Sequence, residues 1–160
     1  MQVCEFLSDH RVTFETLLHP PAFTSQKRAK FLGVSGKQVA KGVLLVGPHG
    51  YFVAVLPATH RVDTQALGRH LHGAVRLAQA EEIAAVFCDC EWGVVPPFGR
   101  LYGLPTVVDE TLTANGELVV LANRLGQAIR MRCRDFERLE QPQRLCFARR
   151  ASTCAAPASE

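Results

Sequence analysis

Two parts of the sequence carry residue types suited to chemistry. One is Lys41, which opens the apolar run KGVLLVG (41–47); the other is the stretch EWGVVPPFGRLYGLP (91–105). A lysine at the mouth of a buried strand offers a point charge to a phosphate or carboxylate. The same position also lets the side chain reach out to water. The second stretch holds three prolines and three glycines. Pro96 and Pro97 have fixed φ and no N–H, so the chain there is extended with few accessible states. Gly93 and Gly99 bracket them and allow positive φ or close backbone approach. Such a loop either presents backbone groups to a ligand at low entropic cost or is a rigid connector with Phe98 plugging the core.

Other chemistries find less support. The cysteines are Cys4, Cys88, Cys90, Cys133, Cys146 and Cys154, and Cys88 and Cys90 form C-x-C, not the C-x-x-C of redox or zinc sites. No second Cys or His pair has ligand spacing, so no metal is expected and free thiols are the better reading. The sequence has no G-x-S-x-G, H-E-x-x-H, Walker loop or G-x-G-x-x-G after a strand. A thiol enzyme using Cys88 or Cys90 lacks a recognisable sequence context.

The elements that must position these residues follow from pattern. A short helix is predicted over 2–9 and a strand over 11–19. Ser25 and Gly33 read as the caps of a helix. KGVLLVG and YFVAVLP around PHG predict a β-hairpin. Asp63 reads as the N-cap of a helix over 64–71. A strand over 74–78 precedes a helix over 80–87, whose acids sit in the first turn. Beyond the proline-rich loop, strands are predicted at 106–109, 116–123 and 127–133, then a helix over 134–140. The order is mixed α/β, not regular βαβ alternation.

The chain has 160 residues, 48% of them hydrophobic and 21% charged, which predicts one soluble domain over 1–150 with a disordered tail at 151–160. No apolar run is long enough to span a membrane and no export signal is evident, so the expected compartment is cytoplasmic. Net charge is +3, with 14 arginines against 4 lysines. Eight of the arginines fall between Arg124 and Arg150, against three acids. That excess fits either an anionic partner or a solvated face. In QAIRMRCR, period-two alternation would put Arg130, Arg132 and Arg134 on one outward face.

Several segments together resemble the YbaK/EbsC family of free-standing aminoacyl-tRNA deacylases, related to the editing domain of bacterial prolyl-tRNA synthetases. They are HPPAFT (19–24), VAKGVLLV (39–46), VLPATHRVD (55–63), RLAQAEEI (76–83), EWGVVPPFGRLYGLPTVVDETL (91–112) and AIRMRCRDFERLEQP (128–142). The resemblance implies a curved, barrel-like mixed sheet flanked by helices. It also implies trans-editing hydrolysis of the ester of mischarged tRNA, with no metal or cofactor. Lys41 and Gly93 would be the catalytic positions. His19, Thr24, His60, Val95, Pro96, Pro97, Phe98, Gly99, Asp109 and Asn123 would bind substrate, and Arg130, Arg132 and Arg134 would meet the RNA. The implied partners are the acceptor end of aminoacyl-tRNA and a synthetase, not DNA or a membrane. One departure stands out: within ANRLGQ (122–127), Leu125 occupies a position where the family often has His. It motivates the alternative of a non-catalytic tRNA- or synthetase-binding module of the same fold.

Overall fold

The predicted hairpin forms the centre of the fold. In the computed structural model, which describes residues 1–19, 38–112 and 116–150, β2 (Ala40–Gly47) pairs antiparallel with β3 (Gly50–Pro57) along its whole length. Both faces of this ladder are covered. Ala40 and Leu44 join one apolar cluster, while Val43 and Leu45 join another. A strand buried on both faces reads as a continuous apolar run, which is why these two segments lack alternation.

The other elements pack around it. They are α1 (Val3–Asp9), β1 (Phe14–Leu18), β4 (His60–Val62), α2 (Thr64–Leu71), β5 (Arg76–Leu77) and α3 (Ala80–Val86). A 3₁₀ turn (Gly99–Tyr102), β6 (Thr106–Asp109), β7 (Glu117–Leu121), β8 (Gln127–Arg132), α4 (Cys133–Glu140), β9 (Gln143–Leu145) and β10 (Ala148–Arg150) follow. Asp63 caps α2 as expected, its carboxylate accepting from the N–H groups of Gln65 and Ala66 at 3.0 and 3.1 Å.

The strands form a five-stranded sheet in the order β5-β2-β3-β6-β9, a three-stranded sheet β1-β8-β7 and a ribbon β10-β4. β6 runs parallel to β3, and β9 parallel to β6. A parallel bridge between Val39 and Val119 joins the two larger sheets, and Val39, Ala58, Val119 and Ala128 form a small apolar seam there. The mixed α/β class is as expected, but among the described residues the strands do not close into a barrel. The expected helix between Ser25 and Gly33 and the tail lie outside the described residues.

Two local readings need correction. β8 ends at Arg132 and α4 begins at Cys133, so Arg134 is a helical residue and does not continue the outward row of Arg130 and Arg132. The ribbon strands and β9 were not anticipated; at three residues each they carry no periodic signal.

Asp109 fixes the start of β10 to the central sheet. Its Oδ1 accepts from the N–H groups of Phe147 and Ala148, both at 2.8 Å, and its Oδ2 accepts from the Thr111 N–H at 2.9 Å and from the Thr111 hydroxyl. Burial pushes this carboxyl up, but the four donors outweigh it and hold the pKa below the ordinary value. A depressed carboxyl contributes stability that is present above its unfolded pKa of about 3.9 and is lost as pH falls through the folded value. Asp109→Asn loses charge-assisted bonds worth about 1.5–3 kcal/mol, so its Tm at neutral pH falls by roughly 3–12 °C. The gap to wild type narrows as pH is taken below about 4. Melting curves that keep the same gap at every pH would show that the charge contributes nothing.

Candidate active site

Gly42 is where the proline-rich loop rests on β2. A Cβ built at residue 42 would lie 2.9 Å from the Val95 carbonyl oxygen and 3.2 Å from Pro97 Cα. These are backbone atoms, so no rotamer change relieves the contact. Lys41 precedes Gly42 and pairs with Leu56 of β3. Alternation puts Lys41 on the side of Val43 and Leu45, and Gly42 on the side of the loop. The lysine and the loop therefore flank the same end of β2 from opposite faces. Lys41 is only 7% exposed.

Most of the loop is interior. Val94 to Gly99 are buried, whereas Glu91, Trp92 and Gly93 are exposed. Phe98 is fully buried and meets Phe6 and Phe136 edge-on, with ring centroids 6.4 and 5.8 Å apart. It is the core plug. Val95, Pro96, Pro97 and Gly99 are buried with it, and the exposed part of the loop is Glu91–Gly93. Gly93 has φ +83° with nothing within 4 Å of a built Cβ, so its constraint is conformational.

Asn123 holds the entry to the loop. Its carbonyl accepts from the Glu91 N–H at 2.9 Å, and its Oδ1 accepts from the Val3 N–H at 2.9 Å, tying down the start of α1. Its Nδ2 reaches Cys90 Sγ at 3.3 Å and the Tyr102 hydroxyl at 3.4 Å. Tyr102 in turn donates to Asp89 at 2.9 Å and stacks edge-on against Phe87 at 4.7 Å. Burial pushes the Cys90 thiol up, although the Tyr102 and Asn123 bonds pull the other way. A thiol kept protonated is a poor nucleophile.

A second clamp holds the loop's exit. Gly99 approaches so closely that a built Cβ would lie 2.5 Å from Thr106 Oγ1 and 2.9 Å from the Leu104 carbonyl. Glu140, near the end of α4, accepts from the Arg100 N–H at 3.2 Å and from the Thr106 hydroxyl at 2.8 Å. Arg100 also donates to the Leu139 carbonyl at 2.9 Å. Burial raises the Glu140 pKa, with these donors opposing it, and Oε2 has no hydrogen-bond partner among the described residues.

Two clefts flank the Glu91 segment. The larger, about 540 Å³, is lined by Leu18, His19, Glu91, Arg124, Gly126 and Gln127 among others. The smaller, about 180 Å³, is lined by Phe87, Cys90, Glu91, Trp92 and Gly93 among others. The structure thus brings together Gly93, Asn123 and His19 around Glu91, whereas Lys41 lines neither of these two clefts. His60 lies in the β4–β10 ribbon opposite Arg150, its Nδ1 hydrogen-bonded to the Thr59 hydroxyl at 2.8 Å. Asp109 follows Val108, which lies opposite Val55, and both its carboxylate oxygens are occupied internally. Arg130 pairs with Glu15 at 3.2 Å, Arg132 lies opposite Glu117, and Arg134 is exposed on α4. Thr24 falls outside the described residues.

Gly42 and the Thr106–Glu140 pair were missed. A glycine inside a strand run signals close backbone approach, so Gly42 was within reach of the sequence. The partners of Thr106 and Glu140 are set by folding across 34 positions, which no local pattern reports.

A family model described as an aminoacyl-tRNA editing domain matches residues 19–139. Among curated proteins, the multifunctional Ser/Thr-tRNA deacylase ProXp-y of Escherichia coli (strain K12) is 27% identical over 146 residues, spanning 90% of this chain and 87% of that protein. Among solved structures, a hypothetical protein superposes with a TM-score of 0.81 at 21% identity, over 92% of this chain and 99% of that one. A structure described as a candidate trans-editing enzyme for prolyl-tRNA synthetase superposes with a TM-score of 0.75 at 23% identity, over 85% of this chain and 87% of that one. At these identities the two solved structures establish likeness of fold.

The two glycines respond differently to a methyl group. Gly42→Ala forces a methyl group against backbone and costs about 1–3 kcal/mol, a Tm loss of roughly 2–12 °C. Gly93→Ala meets no neighbour, and its cost is the strain of positive φ, about 1–2 kcal/mol. Thermal melts of both variants check this; an unchanged Tm for Gly42→Ala would mean the loop does not rest on β2.

Proposed function

The chain belongs to the aminoacyl-tRNA editing domain family, and we propose that it is a trans-editing deacylase whose site is built from Lys41 and the 93–99 loop. The observation that supports this site is the seat of Val95 and Pro97 on Gly42, the residue after Lys41, so that loop and lysine flank one end of β2 from opposite faces. The reaction is hydrolysis. Water adds to the ester carbonyl, the bond from that carbon to the ribose oxygen breaks, and the amino acid and a free ribose hydroxyl are released. The ester is already activated, so positioning and charge stabilisation suffice without a protein nucleophile.

In this reading the Lys41 ammonium holds the phosphate region of the terminal nucleotide. Gly93 leaves room for the aminoacyl ester at the rim, and the buried Val95–Gly99 segment sets the shape of the pocket behind it. Asn123 and His19 border the same region. The substrate ties the protein to the compartment of translation, and a synthetase is the natural protein partner for such an enzyme. Among the described residues no helix is long and apolar enough to cross a membrane.

Leu125 favours one second reading. It follows Arg124 in a turn closed by the Gln127 N–H and the Arg124 carbonyl at 3.3 Å, and its apolar side chain has no general acid–base capacity. A module that binds tRNA without hydrolysing it would show tight binding with no turnover above the uncatalysed rate.

A panel of mischarged tRNAs separates the two. The deacylase reading expects release of amino acid from at least one member and fails if every member stays charged. Lys41→Met keeps the apolar stem and removes the charge. An interaction with a charged group is worth about 1.5–3 kcal/mol, so kcat/KM falls roughly 10- to 150-fold while the fold is kept. Wild-type rates in Lys41→Met would remove the lysine from the site.

A further inference from the structure

Trp92 is the chain's one tryptophan and is 66% exposed. An exposed indole offers a flat stacking face, and the turn that carries it is held in place. The Glu91 N–H is fixed to the Asn123 carbonyl at 2.9 Å, the Val94 N–H returns to the Glu91 carbonyl at 3.1 Å, and Val94 is fully buried. Arg124 follows Asn123. The indole and the guanidinium therefore leave two neighbouring chain segments, each one residue beyond the same backbone hydrogen bond. Arg124 is exposed, lines the larger cleft and makes no ion pair among the described residues.

We infer that Trp92 is a stacking platform for the unpaired bases at the 3′ end of tRNA, with Arg124 beside it holding a backbone phosphate. This rests on the deacylase reading and deepens it. Every nucleobase has a π-face that an indole accepts, so the contact does not depend on sequence. The arginine supplies the charge that backbone binding requires. Glu91, exposed between the two clefts, repels a phosphate at that point and accepts from the amino edge of a base. A free 3′ end laid across Trp92 is carried toward Gly93 and the seat of the loop on β2. The occupant is single-stranded nucleic acid, because an exposed indole and, on the neighbouring segment, an arginine with no ion pair among the described residues match a base and its backbone phosphate.

Because Trp92 is the only tryptophan, its emission reports the contact directly. The intact protein is titrated with deacylated tRNA and with the same tRNA shortened by its unpaired 3′ nucleotides. Intact tRNA is expected to quench the emission, and shortened tRNA to leave it unchanged. Trp92→Ala is expected to weaken binding of intact tRNA roughly 5- to 150-fold, with Trp92→Phe keeping most of it. In deacylation the loss appears in KM while kcat at saturation is kept. Arg124→Gln is expected to flatten the dependence of log affinity on log salt by about 0.7. Equal quenching by both RNAs, or wild-type affinity in Trp92→Ala, overturns the inference while leaving the deacylase reading standing, since hydrolysis is scored separately on the mischarged panel. So does emission that responds to a synthetase and not to tRNA. Failure of the wild-type protein both to bind tRNA and to hydrolyse any member of the panel overturns the inference together with that reading.

Discussion

Val95 and Pro97 lie closer to β2 than a side chain at position 42 would permit. A Cβ built at Gly42 would lie 2.9 Å from a carbonyl oxygen and 3.2 Å from a Cα, both backbone atoms that cannot turn aside. The geometry of the site follows from this one approach. It brings a stiff segment with few conformers against the start of a strand that is buried on both faces, so neither partner can move independently. Lys41, next along β2, inherits that fixity. The central hairpin is more than a scaffold, because its first turn of pleat sets where a charge and a loop stand relative to each other.

Three buried polar side chains hold the loop and its surroundings, and each links segments distant in sequence. Asn123 ties the loop's entry to α1 and to the Tyr102 hydroxyl. Glu140 ties its exit to β6 through Thr106. Asp109 ties the same strand to the start of β10. A buried polar group costs free energy unless its partners are in place, so such clamps specify one arrangement more strongly than apolar contact does. Asp109 meets that demand in full, with four donors on two oxygens. Glu140 does not, since Oε2 is unpartnered among the described residues and its carboxyl is pushed up. The exit of the loop is the less comfortable of its two ends.

How much of this was legible depends on the range of the determining interactions. The hairpin was legible because its residues bury both faces and its turn is short. The capping of α2 by Asp63 was legible because the bonds span two and three residues. Lys41 and the 91–105 loop stood out by residue type alone. The ribbon of β4 and β10 was not legible, since three-residue strands owe their pairing to Asp109 and not to their own pattern. Arg134 was misplaced because period two was carried one residue beyond the end of β8, where the 3.6-residue period of α4 takes over. Asn123 was singled out, but its bonds to Val3 and Cys90 lie 120 and 33 positions away, beyond what spacing reveals.

The arginine excess takes on a different meaning once the pairs are drawn. Of the eight arginines between 124 and 150, Arg130, Arg138, Arg144 and Arg149 face Glu15, Asp135, Glu137 and Asp63. Exposed pairs of this kind add little stability, but they cancel charge that would otherwise reach an anion. Arg124, Arg132, Arg134 and Arg150 make no such pair among the described residues. Within this stretch, the charge left to meet an anion is that of these four, not of the full count. They are also spread over separate elements: Arg124 beside the loop entry, Arg132 at the end of β8, Arg134 on α4 and Arg150 in the ribbon. A polyanion drawn by such a distribution is attracted broadly and oriented weakly. Its register must therefore come from short-range contacts, and at the mouth of the site the exposed short-range surface is the Glu91–Gly93 rim. In the proposed reading, long-range charge brings the RNA in, and the turn held by Asn123 sets which part of it reaches the loop.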